Sequence, residues 1–226
     1  MFSELGYRPL DFGPVSSDGD PRREMRAMLD THARQYVQPV IRRTAQGCLR
    51  LGLTPNQVTW SAFIIGMGAA AVEVGSRPVA AVILLWLSAY LDAVDGSMAR
   101  ERHQTSPWGT LLDITFDRLV ELGIIVALAI RFPDARLLLV LLTAGIVFSM
   151  TVFLTVGALA EKQGMKSFYY QAGLAERTEG IILLSVMMLW SGALLWTTAA
   201  FVVVEIVTAV QRLREAYRLF EGTSPP

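Results

Sequence analysis

Four aspartates, Asp92, Asp95, Asp113 and Asp117, lie in the stretch YLDAVDGSMARERHQTSPWGTLLDITFDRLVE (Tyr90 to Glu121), inside or beside apolar runs long enough to cross a bilayer. On helices, Asp92 and Asp95 are three residues apart and Asp113 and Asp117 four apart, so each pair shares one face. An ionised aspartate at the centre of a membrane helix costs about 2.5 to 3.5 kcal/mol, and four unpaired ones cost on the order of 10 kcal/mol before their mutual repulsion. Something must neutralise them. Arg118 points to a different face from Asp117, and one arginine cannot balance four carboxylates, whereas divalent cations can. A set of oxygen ligands without histidine or thiol selects hard ions, magnesium or manganese over zinc. With Arg100 and Arg102 at its rim, such a site suits a phosphate-bearing ligand. Metals there can bridge a diphosphate, stabilise the leaving group and orient an attacking hydroxyl, while a remaining carboxylate serves as general base.

The elements that must position these side chains read as membrane helices. The chain has 226 residues, 53% hydrophobic and 18% charged, with a mean hydropathy of +0.42, which is too apolar for an ordinary soluble domain. Formal net charge is zero, so no basic balance points to nucleic acid. The single Cys48 can form no intramolecular disulfide and reads as a small buried or interfacial residue. Residues 1–23 are polar and turn-rich, a flexible segment without the apolar core of a secretory signal. Residues 24–53 interleave Met25, Met28, Leu29, Tyr36, Val37, Val40, Ile41 and Leu49 with arginines, predicting an amphipathic juxtamembrane helix broken near Pro39. It either lies in the membrane interface or packs on the rest of the protein.

Apolar runs at 57–75, 79–100, 108–130, 136–160, 178–191 and 194–211 predict an all-α integral membrane protein. Its six transmembrane helices form a catalytic domain over 54–220, followed by a tail at 221–226. The boundary at Ser191 and Gly192 is the weakest. The lysine and arginine bias places both termini and the second and fourth loops in the cytoplasm of a plasma (inner) membrane protein. The hairpin closed by ERHQTSP then brings the two aspartate pairs together in a cavity reachable from the cytoplasm. Gly96, Ala99 and Gly109 either leave room there for a ligand or simply let helices approach. Intramembrane carboxylates also serve cation or proton transporters. Against that reading, the cluster lies at one end rather than at the midplane, and the outer half offers only Glu73 and scattered hydroxyls; Glu205 alone keeps it open.

The pattern Asp92-x-x-Asp95-Gly96-x-x-Ala99-Arg100, eight residues, then Gly109-x-x-x-Asp113-x-x-x-Asp117 resembles the signature of the CDP-alcohol phosphotransferase family without a mismatch. LTPNQVT (Leu53 to Thr59) is similar to the start of that family's first transmembrane helix. The resemblance implies transfer of a phosphatidyl-type group from a CDP-linked lipid, CDP-diacylglycerol or an ether analogue, to a small alcohol with release of CMP. Carried over by position, Asp92, Asp95, Asp113 and Asp117 bind two magnesium or manganese ions, with Asp117 as the base. Asp92, Gly96, Ala99, Arg100 and Gly109 line the CDP pocket. Asn56 approaches the diphosphate or the acceptor, or else acts only at the helix start. Members that use inositol phosphate carry a lysine and an arginine near the end of the fourth helix where this chain has Gly157 and Leu159. GLAERTEG resembles the start of the family's fifth helix and makes Arg177 the candidate ligand of an anionic acceptor. The resemblance also implies a homodimer.

Overall fold

The computed structural model describes residues 37–102, 106–162 and 173–221. It divides the chain into Met1–Pro39 and Val40–Pro226, and the second unit carries the site. The polar segment 1–23, the first part of the amphipathic helix, most of the loop before the fifth apolar run, the tail from residue 222, and the side chain of Arg177 lie outside the described residues.

Seven α-helices are present among the described residues, and no strand. Residues 37–50 (α1) are helical, Pro39 among them. They are followed by α2 (Pro55–Val74), α3 (Pro78–Glu101), α4 (Pro107–Arg131), α5 (Arg136–Lys162), α6 (Gly173–Leu189) and α7 (Leu194–Glu221). Local chemistry explains the punctuation. At the end of α1, Gly52 takes φ +78°, a left-handed conformation that glycine adopts without a Cβ penalty. Leu53 N–H then donates to the Cys48 carbonyl and Gly52 N–H to that of Leu49, both at 3.1 Å, closing the helix on its orphan carbonyls. Helix α2 starts with a reciprocal cap: Thr54 Oγ1 accepts the Gln57 N–H at 3.3 Å and Gln57 Oε1 accepts the Thr54 N–H at 2.9 Å. Proline begins α2, α3 and α4, where its missing N–H costs nothing. Short 3₁₀ turns, Pro133–Ala135 and Ser191–Ala193, join α4 to α5 and α6 to α7. The chain therefore does break at Ser191 and Gly192.

Among the described residues, four stretches are long and apolar enough to cross a membrane: Pro55–Val74, Pro78–Glu101, Pro133–Leu159 and Ser191–Arg214. Helix α4 has the length, 25 residues, but carries Asp113, Asp117, Arg118 and Glu121. Helix α6 has only 17 residues, about 25 Å at 1.5 Å per residue. Bulky apolar side chains such as Ile64, Ile83, Val126, Ile130, Leu137, Val140 and Val203 stand exposed on these helices. So much outward apolar surface is incompatible with water and belongs in lipid. This is an integral membrane protein.

Helix α2 is the scaffold, packed along both α3 and α4; α5 pairs with α7, and α6 bridges α3 and α7. A central core of Leu85, Ile124, Leu128, Leu142, Ile146, Met187 and Phe201 runs through α3 to α7. A smaller cluster docks α1, through Ala45, Ile41, Cys48 and Leu49, on Val58, Val94 and Met98. The Thr44 and Tyr90 hydroxyls, 2.6 Å apart, add a polar tie. Away from the aspartates, fully buried Glu73 at the end of α2 accepts from Arg131 Nη1 at the end of α4, 2.6 Å away.

Gly66 sets how closely α2, α3 and α4 approach. A Cβ there would stand 2.5 Å from Val120 Cγ2 and 2.7 Å from Ser88 Oγ, whereas a Cβ on Gly68 would meet nothing within 4 Å. Val120 is β-branched and stiff, and the Ser88 hydroxyl is held by the Ala62 carbonyl at 2.7 Å. Gly66→Ala is therefore expected to lower stability by about 1–3 kcal/mol through overpacking. Gly68→Ala should be neutral or stabilising by up to about 1 kcal/mol through helix propensity. Thermal melts of the two variants in the same detergent check the contrast.

Candidate metal and diphosphate site

Asp92 and Asp95 occupy the last turns of α3, and Asp113 and Asp117 the first half of α4. Asp92 and Asp95 approach Asp113, while Ser88, earlier on α3, and Val120, later on α4, both meet the Cβ position of Gly66, so the two helices run antiparallel. One carboxylate oxygen from each of Asp92, Asp95 and Asp113 lies within 4.8 Å of the others. Asp92 and Asp95 are 7% and 5% exposed, and Asp113 is half-buried. Like charges this close repel by about 3 kcal/mol per pair at an effective dielectric near 20. The donor set is all carboxylate oxygen, buried, and convergent from two rigid helices, which fits a hard divalent cation. Asp117, one turn beyond Asp113 on the same face, is half-buried and does not belong to this group of three.

Packing holds these helices in register. Phe116, next to Asp117, stacks on Phe63 of α2 with centroids 4.2 Å apart, and Trp60 meets Phe116 edge-on at 4.7 Å. That aromatic stack pins α4 to α2 beside the carboxylates.

The small residues fall at the helix ends. A Cβ on Gly96 would lie 3.4 Å from Arg100 Nη1, so the exposed Arg100 side chain folds back over Gly96. Gly109 is in the first turn of α4, where its N–H donates to Ser106 Oγ at 3.0 Å. A Cβ on Gly109 would stand 3.6 Å from Asn56 Oδ1. The starts of α2 and α4 are thus neighbours. Thr54 and Gln57 cap α2, so Asn56 has no part in capping and its exposed amide lies beside Gly109. Ala99 is half-buried on the final turn of α3. The helix carrying Arg177 is described in its backbone alone at that position.

Two features escaped the sequence reading. Arg118 forms an ion pair with Glu121, which is 8% exposed, so this arginine is committed along its own helix. Glu121 continues the four-residue stripe of Asp113 and Asp117, a periodicity that would have revealed it. Arg212 of α7 donates to the Ser149 carbonyl and Oγ on α5, both at 3.2 Å, and lies over Phe153. Glu205, the residue that suggested transport, packs its Cβ 3.5 Å from where a Cβ on Gly145 would be.

Gly109→Leu is expected to weaken binding of CDP by tenfold or more, because the added side chain must grow from a position already bounded by Ser106 and Asn56. If small size served only helix packing, the variant would instead lower the melting temperature and leave affinity unchanged. Measuring both quantities on one preparation separates the two.

Known proteins resemble this chain in sequence and fold. The profile of the CDP-alcohol phosphatidyltransferase family matches residues 52–212. The inner membrane protein YnjF of Escherichia coli is 32% identical over 76% of this chain and 91% of its own length. The phosphatidylinositol phosphate synthase of Corynebacterium glutamicum is 30% identical over 88% of this chain and 91% of its own. The archaetidylinositol phosphate synthase of Pyrococcus horikoshii is 29% identical over 83% and 96%. Among solved structures, Mycobacterium tuberculosis phosphatidylinositol phosphate synthase with CDP-DAG bound superposes with a TM-score of 0.64 at 26% identity. That match covers 79% of this chain and 94% of the other. The same enzyme in complex with manganese and citrate gives 0.64 at 28% identity, over 78% and 88%. With its signature aspartates converging on two antiparallel helices, this chain belongs to the CDP-alcohol phosphatidyltransferase family.

Proposed function

We propose that the protein transfers a phosphatidyl-type group from a CDP-linked lipid, CDP-diacylglycerol or its ether analogue, to a small anionic alcohol and releases CMP. The observation that carries this reading is the convergence of Asp92, Asp95 and Asp113 oxygens within 4.8 Å, towards the end of α3 and the start of α4. Asp92, Asp95, Asp113 and Asp117 would hold two magnesium or manganese ions; a solved relative binding manganese supports the choice of ion. Bound there, the ions would polarise the diphosphate and neutralise charge on departing CMP. The diphosphate lies along Gly96, Ala99, Arg100 and Gly109, with Asn56 beside it, where missing side chains and two neighbouring helix starts admit a phosphate. Asp117 accepts the proton of the acceptor hydroxyl. The alkoxide oxygen attacks the lipid-linked phosphorus, and the bond from that phosphorus to the bridging oxygen breaks, leaving the electron pair on CMP.

Two contacts support Arg177 as the acceptor's cation. Trp86 Nε1 donates to Ser185 Oγ at 3.0 Å, and Glu121 Oε1 lies 3.8 Å from the Cβ position of Gly180. Helix α6 runs antiparallel to α3 and parallel to α4. Eight residues before Ser185 is Arg177, and eight after Trp86 is Val94, between Asp92 and Asp95. Guanidinium geometry suits a phosphate or carboxylate. The names of the relatives point to inositol phosphates, but the clamp positions here hold Gly157, buried, and Leu159, exposed. The acceptor in this reading is a small anionic alcohol held without that clamp.

In this reading all six helices from α2 to α7 span the plasma (inner) membrane, and 54–220 is the catalytic domain. The described part of the amphipathic segment 24–53 packs on α2 and α3, 1–23 and 221–226 are peripheral, and both termini and the site face the cytoplasm. Exposed Trp60 and Trp108 near one end of the bundle and Trp190 and Trp196 at the other suit two aromatic belts. The protein acts as a homodimer.

CMP release from CDP-diacylglycerol with a panel of alcohols tests the reaction. Turnover should require magnesium or manganese, stop on chelation, and fall about 10³-fold in Asp117→Asn, the range of a lost general base. Metal-independent turnover, or cation flux in proteoliposomes without CMP, would refute it. For the acceptor, Arg177→Ala should raise its KM by tenfold or more with little change in the KM for the CDP-lipid. An unchanged acceptor KM, or a neutral alcohol as sole acceptor, contradicts this assignment alone.

A further inference from the structure

Helix α1 packs on α2 and α3 through one face. Ile41, Ala45, Cys48 and Leu49 cluster with Val58, Val94 and Met98, while Arg42, Arg43, Gln46 and Arg50 stand exposed. Two side-chain contacts show how α1 lies across α3. The Thr44 and Tyr90 hydroxyls are 2.6 Å apart, and Gln46 Nε2 donates to Glu101 Oε1 at 3.4 Å. Tyr90 is in the middle of α3 and Glu101 at its end. Thr44 therefore marks the flank of α1 turned toward the middle of the bilayer, and Gln46 the flank turned toward its surface. Between them α1 crosses α3 at Val94 and Met98, about 5 to 10 Å short of the helix end at 1.5 Å per residue. That is the depth at which lipid chains give way to headgroups.

The flanks differ in kind. At about 100° per residue, Val40 and Leu51 fall within about 40° of Thr44, and they are 52% and 80% exposed, as apolar side chains dipping into lipid would be. Arg42 falls within about 40° of Gln46, on the flank turned to water. Arg43 and Arg50 lie about 20° apart around the helix and opposite the packed face, so both project sideways into the surrounding lipid at headgroup height. We infer that this outer face of α1 is a docking surface for anionic phospholipid headgroups of the bilayer, which bind Arg43 and Arg50 and hold α1 against α3. A zwitterionic headgroup carries its own cation beside its phosphate, whereas an anionic one leaves the phosphate charge to the arginines. Val94 lies between Asp92 and Asp95, so α1 backs the turns that carry them. This surface does not depend on the reaction performed at the site.

Cys48, the chain's one cysteine, is half-buried in the contact between α1 and its neighbours, so its reaction with uncharged N-ethylmaleimide follows release of α1. The test uses the full-length protein in vesicles of phosphatidylcholine, alone or mixed with phosphatidylglycerol. Labelling of Cys48 should slow about tenfold in the anionic vesicles, the scale of one or two arginine–lipid contacts. The difference should vanish in Arg43→Gln/Arg50→Gln, persist in Arg43→Lys/Arg50→Lys, and shrink for the wild type at high salt. Equal labelling of the wild type in both vesicles overturns the inference. So does the same slowing in Arg43→Gln/Arg50→Gln, which would mark a general effect of surface charge on the thiol. If that double variant does not fold, undiminished slowing in both Arg43→Gln and Arg50→Gln overturns it.

Discussion

Three carboxylate oxygens within 4.8 Å of one another, two of their residues almost fully buried, are the constraint on which the rest of this molecule depends. Left to themselves, α3 and α4 would relieve the repulsion by sliding or rotating apart. The scaffold opposes both. Helix α2 lies against the two of them, drawn in by Gly66, whose missing side chain is filled by Val120 and Ser88. The Phe63–Phe116 stack fixes α4 against rotation next to Asp117. At the opposite end Glu73 and Arg131 join α2 to α4. A buried ion pair contributes little net stability, because desolvation offsets its attraction, but breaking it by removing one partner is costly. Its use here is to fix register.

Charge is handled differently at each place. Along α4, Arg118 pairs with Glu121, and on α7 Arg212 donates to Ser149 and lies over the Phe153 ring. Among the described residues, three carboxylates are gathered where α3 ends and α4 begins. Such an imbalance persists in a folded protein where a ligand offsets it, and a cluster of carboxylates is a recurrent mark of a functional centre. The family profile spans the same helices, from Gly52 to Arg212.

The second layer of the bundle serves the first. Helix α6 is tied to α3 by Trp86 and Ser185 and to α4 through the gap at Gly180. It therefore cannot shift without disturbing the aspartates. Whatever its first turn binds is thereby held at a set height against the hairpin. Two short 3₁₀ turns permit this, because Pro133–Ala135 and Ser191–Ala193 reverse the chain within a few residues and keep consecutive helices adjacent.

By itself the sequence determined the helical class, the placing of the apolar runs, which match α2 to α5 within about two residues while α6 starts earlier and α7 extends well past its run, and the convergence of Asp92, Asp95 and Asp113. These follow from local rules: apolar run length, proline at helix starts, and three- or four-residue spacing on one face. The short linker ERHQTSP left the two aspartate pairs little choice but to meet. Tertiary structure decided what depends on neighbouring helices. It gave the cap of α2 to Thr54 and Gln57 and set Asn56 beside Gly109. It docked α1 on α2 and α3 rather than leaving its apolar face unpartnered. It also made Gly66, unremarked in sequence, the closest helix contact. Such outcomes are set by side-chain volumes meeting across helices, and no periodicity along one strand of sequence encodes which volumes will meet.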